Sequence, residues 1–324
     1  MNPFISICIP AYKNSNYLEV LFRSIAIQTF KDFEVIVSDD SPGEDVEGIC
    51  KKYASVFPLH YGRNTIPKMS PANWNESIRR SSGRWIKLMH DDDWFSSDNS
   101  LASFAEAARN QQAAFIFSGF WLYENGDKKR NYIIDAFTER SLRSSPLHLF
   151  KQNYIGHPST TLIKNIRSEW YDERIKWVVD IEFYIRCLNE SDFYCLKQPL
   201  VNIGTGSEQI TKQVFRKIEV EIPENIYLLN KLGTAILKNM VVYDYYWRLL
   251  RNVKIRKMKD ITDHCKSMEV PAEIKAMVNF QRNISLQVLN VGLFSKTLMA
   301  IFYFRFLFLN KRNVNTSTTV KDHS

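Results

Sequence analysis

Cysteine is scarce in this chain and forms no pattern. Five residues, Cys8, Cys50, Cys187, Cys195 and Cys265, are scattered over 324 with no CxxC and no zinc-like spacing. Such a set argues against a disulfide framework or a zinc site and for reduced thiols in a cytosolic compartment. The opening stretch MNPFISICIPAYKN has no basic segment, and its apolar run is too short for a signal peptide. It reads instead as a first strand. There is no Walker loop, no GxGxxG and no HExxH, so P-loop phosphoryl transfer, dinucleotide binding and zinc proteolysis lack support. The apolar run Thr297–Leu309 has thirteen residues, short of the about 20 that span a bilayer. No internal repeat is present.

What is present is unevenly distributed. Residues 1–205 carry 24 Lys and Arg against 25 Asp and Glu, a net −1, whereas residues 206–324 carry 19 against 10, a net +9. Asymmetry of this kind points to an anionic partner for the C-terminal third.

The first half alternates strand and helix patterns. FISICIP, FEVIVSDD, LHYG, RWIKLMHDDD and AAFIFSGFWLY read as strands. Between them, NSNYLEVLFRSIAIQTF, EDVEGICKKYASVF, SPANWNESIRRSSG (ending in Gly83) and a stretch around Leu101–Asn110 have helical spacing. Strands separated by crossover helices predict an α/β fold with a mostly parallel, doubly wound sheet. Ligands of such sheets bind beyond the carboxyl ends of the strands. Residues 125–145 are polar and read as an irregular connection. HPSTTLI and FYCLKQPLVNIG are further strands flanking a helix that begins near Asp180 in VVDIEFYIRCLNES. Beyond about Ser207 only helical patterns remain, to about Leu309, and residues 311–324 are expected to be a disordered tail.

The strand ends carry the chemistry. The first strand ends in Pro10-Ala11-Tyr12, the second in Asp39-Asp40, the fourth in Asp91-Asp92-Asp93. Adjacent carboxylates raise one another's pKa unless something neutralises them. A hard divalent cation, Mg²⁺ or Mn²⁺, takes oxygen ligands and keeps open positions that phosphate oxygens fill. An ion there would support a leaving diphosphate, and Asp39 could accept hydrogen bonds from a nucleotide base. A turn or helix cap is the plainer reading of Asp39-Asp40 taken alone.

In order and spacing, SICIPAYKNSNYLEVLFRSIAIQTFKDFEVIVSDDSP, NWNESIRRSSGRWIKLMHDDDWF and WVVDIEFYIR resemble a family 2 glycosyltransferase over residues 4–205. The resemblance implies a GT-A fold, an inverting mechanism and a nucleotide-diphosphate sugar donor (UDP or dTDP type). Within it, about 1–125 would be the nucleotide-sugar half and about 126–205 the acceptor half. Carried across by position, Pro10, Ala11, Tyr12, Glu19, Asp39 and Asp91 fall to nucleotide binding, Asp92 and Asp93 to the metal, and Asp180 to the catalytic base. His90 stands where many relatives have the first aspartate of the DxD motif, which leaves Asp91 and His90 as alternatives beside the metal. A packed or capping histidine is the plainer reading of His90. Val179 replaces a frequent glutamate, and Gly206 a frequent histidine. Two rival readings are a non-catalytic binding or scaffold protein of this fold and a sugar-nucleotide pyrophosphorylase. The latter would want a glycine-rich basic loop after strand one, where PAYKNSNY stands.

In residues 206–310, six basic residues lie between Arg248 and Lys259, behind a helical stripe of Val242, Tyr245, Tyr246 and Leu249. The stripe alone suits core packing. The Thr297–Leu309 run is too apolar all round for an ordinary surface helix, so burial or membrane-surface insertion is expected, with Arg305 reaching the headgroups. Nucleic acid would use the basic residues but leaves the apolar run unexplained. The combined expectation is a cytoplasmic enzyme, peripheral on the inner face of the membrane, serving a lipid-linked glycan acceptor in surface-polysaccharide synthesis.

Overall fold

The computed structural model describes residues 2–124, 126–166, 168–205, 216–266 and 268–318, with side chains as far as residue 308. The position of Gly206 lies outside them. The chain divides into two compact units, Met1–Leu149 with Asn153–Gln213, and Phe150–Gln152 with Val214–Ser324.

The first unit is built on a nine-stranded sheet. Its strands are β1 (Ile5–Ala11), β2 (Phe33–Asp39), β3 (Leu59–Arg63), β4 (Trp85–Leu88), β5 (Asp93–Phe95), β6 (Phe115–Glu124), β7 (Asp127–Tyr132), β8 (Thr161–Lys164) and β9 (Phe193–Thr205). Their order is β3-β2-β1-β4-β8-β6-β9-β5, with β7 on β6. The run β3-β2-β1-β4 is parallel throughout, and β6 pairs β9 in parallel. β8 enters antiparallel between β4 and β6. Every residue of β1 and β2 is buried, as expected of parallel strands covered on both faces. Helix α1 (Ser15–Ala26) sets Leu18, Leu21, Phe22 and Ile25 at helical spacing into one core with Ile5, Ile7, Ile9, Val35 and Val37. Each such side chain, fully buried, stabilises the fold by about 1.5–3 kcal/mol.

Helices α2 (Asp45–Tyr53), α3 (Ala72–Arg79) and α4 (Ser100–Asn110) complete the crossovers. Gly83 does not end α3 directly. It lies at the approach to β4, donates its N–H to Ser6 Oγ at 2.7 Å, and leaves so little room that a Cβ would sit 2.6 Å from Ser6 N.

Two expectations are corrected here. Residues 125–145 are not an irregular connection, because β7 and helix α5 (Ala136–Ser144) occupy them. β7 is an exposed edge strand with no apolar face to announce it, and α5 is started by Asp135, which accepts the Thr138 N–H at 2.9 Å. HPSTTLI is a strand only from Thr161, since Pro158–Thr160 is a 3-10 turn.

The second unit is helical. Tyr243, Tyr246, Trp247 and Leu250 of helix Met240–Asn252 are buried, with Trp247 near Phe280 and Phe302. Three of the six basic residues of this region have structural work. Arg248 pairs with Asp244 at 2.8 Å, Arg251 Nη1 reaches Ser295 Oγ at 3.3 Å, and Arg256 donates to the carbonyls of Arg282 and Ile284. Lys254, Lys257 and Lys259 are exposed. The last helix runs Gly292–Thr318 and so carries into the segment expected to lack structure; extending a formed helix costs little compared with starting one. Among the described residues, no helix is long and apolar enough to cross a membrane.

Candidate active site

Parallel register brings the strand ends to one level. Ala11 pairs with Asp39, and Asp39 with Arg63. β4 ends beside Cys8, whose carbonyl accepts the Met89 N–H at 2.9 Å, so the acidic triplet emerges next to the end of β1. The main-chain N–H of exposed Tyr12 closes the gap by donating to Asp91 Oδ2 at 3.0 Å.

The residues expected at the nucleotide separate into two groups. Pro10, Ala11, Tyr12, Asp39 and Asp91 lie together at the ends of β1, β2 and β4. Asp39 is wholly buried and its carboxylate is already engaged. It accepts from Tyr61 Oη at 2.8 Å and from the Ser41 N–H at 2.7 Å, with Arg63 Nε at 3.7 Å. Glu19 is on the flank of α1, paired with Arg23 at 2.9 Å and Lys52 at 2.6 Å. The hydrogen bonds from Lys52, then Arg23, hold its carboxyl below the usual range. Its partners are helical, not strand-end, residues.

The carboxylates divide their work. Asp93 is in the short strand β5, buried, and accepts the Gly204 N–H at 3.1 Å through Oδ1. Its Oδ2 has no hydrogen-bond partner. Burial, then the Asp92 charge, pushes its pKa well above the ordinary carboxylate value. Asp91 is pushed up to about 7 by the same two causes, with the Tyr12 N–H pulling the other way.

His90, Asp92 and Asp93 offer ligand atoms all within 4.8 Å of one another, and His90 Nε2 is buried without a partner. Burial, then neighbouring His157 and Lys87, lowers His90 to about 3. A neutral imidazole and two carboxylates, with unpartnered atoms on His90 and Asp93, suit a divalent cation by donor chemistry. The alternative between Asp91 and His90 is thereby sharpened: His90 belongs to the cluster, and Asp91 is bonded to the end of β1.

Asp180 is in the first turn of α6 (Val179–Glu190). The N-cap residue is Val178, whose side chain makes no cap hydrogen bond. Asp180 Oδ1 is buried without a partner, and burial raises the carboxyl to about 7. Tyr171 and Tyr184 feel its charge. Tyr171 meets Trp74 edge-on at 5.1 Å, and Trp74 lies 4.8 Å from the His90 ring. A short row of rings therefore joins the neighbourhood of Asp180 to the acidic cluster.

Sequence reasoning passed over Trp74, Ser159 and Lys87. Ser159 Oγ accepts the His90 N–H at 2.9 Å. Lys87 is wholly buried, donates to the Ser159 carbonyl, and is lowered to about 7 by desolvation against the pull of Asp93. A lysine inside the apolar strand WIKL, four residues before Asp91, is the available signal.

A curled, mostly parallel α/β sheet with acidic strand ends at one edge has the architecture of the GT-A glycosyltransferases. The chain belongs to glycosyl transferase family 2, whose family model matches residues 6–171. An uncharacterized glycosyltransferase of Methanocaldococcus jannaschii is 25% identical over 224 residues, 65% of this chain and 76% of that protein. The Campylobacter jejuni GalNAc(5)-diNAcBac-PP-undecaprenol beta-1,3-glucosyltransferase is 26% identical over 184 residues, 54% of this chain and 59% of that protein. Among solved structures, S. aureus TarS 1–349 in complex with UDP-GlcNAc has a TM-score of 0.58 at 15% identity, covering 85% of this chain and 78% of that one. The mannosyltransferase PcManGT from Pyrobaculum calidifontis, in complex with GDP-Man and Mn²⁺, has a TM-score of 0.54 at 12% identity, covering 94% and 86%.

Proposed function

We propose that this protein is an inverting, metal-dependent glycosyltransferase that moves a sugar from a nucleoside-diphosphate sugar to a hydroxyl of a lipid-linked glycan in surface-polysaccharide synthesis. The observation that carries the reading is Asp180, a carboxylate in a first helical turn that caps nothing, with a buried oxygen lacking a partner. A structural N-cap would have its oxygens bonded to amide N–H groups.

In this reading Asp180 accepts the proton of the acceptor hydroxyl while that oxygen attacks the anomeric carbon from the face opposite the nucleotide. An inverting glycosidase needs a second carboxyl group to protonate its leaving group. Here a bound metal would support the leaving diphosphate instead, so one carboxylate would suffice. Pro10, Ala11, Tyr12 and Asp39 receive the nucleotide at the joined ends of β1 and β2. His90, Asp92 and Asp93 would hold Mg²⁺ or Mn²⁺, which when bound neutralises charge on the departing diphosphate. The lipid-linked acceptor is supported by the name of the Campylobacter jejuni relative.

The test is a panel of nucleotide sugars assayed with the purified protein for binding and for divalent-cation-dependent release of nucleoside diphosphate, then for transfer to undecaprenyl-diphosphate-linked glycans. One donor is expected to be hydrolysed with Mg²⁺ or Mn²⁺ and not in chelator. If no donor binds, the enzymatic reading falls and a scaffold of the same fold takes its place.

A further inference from the structure

The helix Gly292–Thr318 is apolar on two opposite sides. One side is packed, with Ser295, Met299 and Tyr303 buried. Ser295 Oγ accepts from Trp247 Nε1 at 3.1 Å, Tyr303 Oη donates to the Lys238 carbonyl at 2.6 Å, and Phe302 stacks on Phe280 at 4.4 Å. The opposite side carries Leu293, Phe294, Ile301 and Phe304, which remain 77%, 60%, 60% and 60% exposed. At about 100° per residue these four fall on one stripe. A soluble surface seldom presents a contiguous apolar strip of this kind without a partner.

Charge decides which partner. From Ile274 to Thr318 the chain has six Lys and Arg residues and no Asp or Glu, and Lys296 and Arg305 on this helix are exposed. A second copy docking stripe to stripe would bring these like charges together. An anionic lipid surface complements them, while the apolar side chains enter the boundary between headgroups and acyl chains. The absence of a spanning helix among the described residues fits a surface contact.

We infer that the Leu293–Phe294–Ile301–Phe304 stripe, flanked by Lys296 and Arg305, is a docking surface for an anionic lipid bilayer, on which the helix lies parallel to the plane. The inference uses the second unit alone, so it stands or falls separately from the transfer reading.

The experiment is co-sedimentation of the full chain with vesicles of phosphatidylglycerol and phosphatidylcholine, and with phosphatidylcholine alone. It is run at about 0.1 M and about 1 M salt, where charges are screened over about 10 and 3 Å. The intact protein should sediment with the anionic vesicles at low salt and retain part of that binding at high salt. Ile301→Ser with Phe304→Ser should lower partitioning about tenfold or more at both, with an unchanged circular dichroism spectrum. Should that double variant misfold, Lys296→Gln with Arg305→Gln serves instead, and should lose only the salt-sensitive share. Three results would overturn the inference. The intact protein could stay in the supernatant with anionic vesicles at low salt, or a folded serine variant could bind like the parent. Light scattering could also show a dimer that the serine variant splits, which would assign the stripe to a second copy.

Discussion

The indole of Trp74 lies 4.8 Å from the His90 imidazole and 5.1 Å from the ring of Tyr171, so one side chain from α3 touches both halves of the site. Its packing acts together with the His90 N–H bond to Ser159 Oγ at 2.9 Å to hold His90 in the cluster. Trp74→Leu should therefore weaken metal binding and slow transfer together, while Trp74→Phe restores much of both. A loss of stability of about 2 kcal/mol is expected for the leucine variant. Calorimetric titration with Mn²⁺ beside kcat measurements would check it; a kcat loss with unchanged Mn²⁺ affinity would contradict the packing role.

For Asp180 the expected sign runs in two directions. As a base it must be deprotonated, and burial puts its carboxyl at about 7. The logarithm of kcat/KM should thus rise with pH at low pH and level off above about 7. Asp180→Asn should leave donor binding intact and reduce turnover by roughly 10²–10⁴-fold. Stability follows the opposite trend, because a raised carboxyl pKa means that the folded state holds the proton more tightly. The stabilisation is complete below the unfolded-state pKa near 4 and is lost as pH rises through about 7. Asp180→Asn should accordingly raise Tm at pH 8 more than at pH 5. A cap would behave differently, losing stability on substitution at every pH.

Asp93 pairs the proposed metal role with a folding cost. Its carboxylate is buried beside Asp92 with Oδ2 unpartnered. Asp93→Asn should leave the metal-free protein at least as stable as the parent, yet abolish the rise in Tm on adding Mn²⁺. For the parent that rise corresponds to about 2.7 kcal/mol at a hundredfold excess over Kd. Asp92→Asn should likewise lose transfer with little loss of fold. Thermal melts with Mn²⁺ and with EDTA would decide both.

Gly204 tests how tightly the cluster is held from behind. A Cβ there would come 2.4 Å from the Asp92 carbonyl oxygen, a main-chain atom that cannot swing away. Gly204→Ala should destabilise by about 1–3 kcal/mol and lower Mn²⁺ affinity, since the same residue's N–H holds Asp93 Oδ1. Normal Mn²⁺ affinity in this variant would show that β9 can yield without disturbing Asp92.

Much of this was legible because it follows simple periods. The crossover pattern exposed the parallel strands, and their polar ends marked the edge where Asp39, Asp91, Asp92 and Asp93 gather. The place of Asp180 in a first helical turn was legible from VVDIEF. What escaped is what periodicity cannot carry. β5 is three residues long, too short for any alternation, although it places Asp93. β7 reads DKKRNY because its side chains are almost all exposed. Lys87 occupies a position that a charged residue normally avoids, and the carbonyl of Ser159, seventy-two residues away, the Phe104 ring and the nearby Asp93 make it tolerable. The six-residue basic cluster was read as a surface, whereas Arg248 and Arg256 spend their charge inside the unit, which sequence cannot reveal without the partners' positions.

The pairing of β5 with β9, Asp93 against Ile203, has a consequence for how the protein comes into being. A ribosome reaches β9 about a hundred codons after β5. At about 5–20 residues per second, the nascent chain spends on the order of 5–20 seconds with its first strands available and its acidic ligands unanchored. The acidic cluster is therefore completed late in synthesis, after the parallel half of the sheet has had time to form. Chains stalled before β9 emerges would lack the Gly204 N–H that holds Asp93 Oδ1, and so would carry the parallel strand ends with an unassembled acidic cluster.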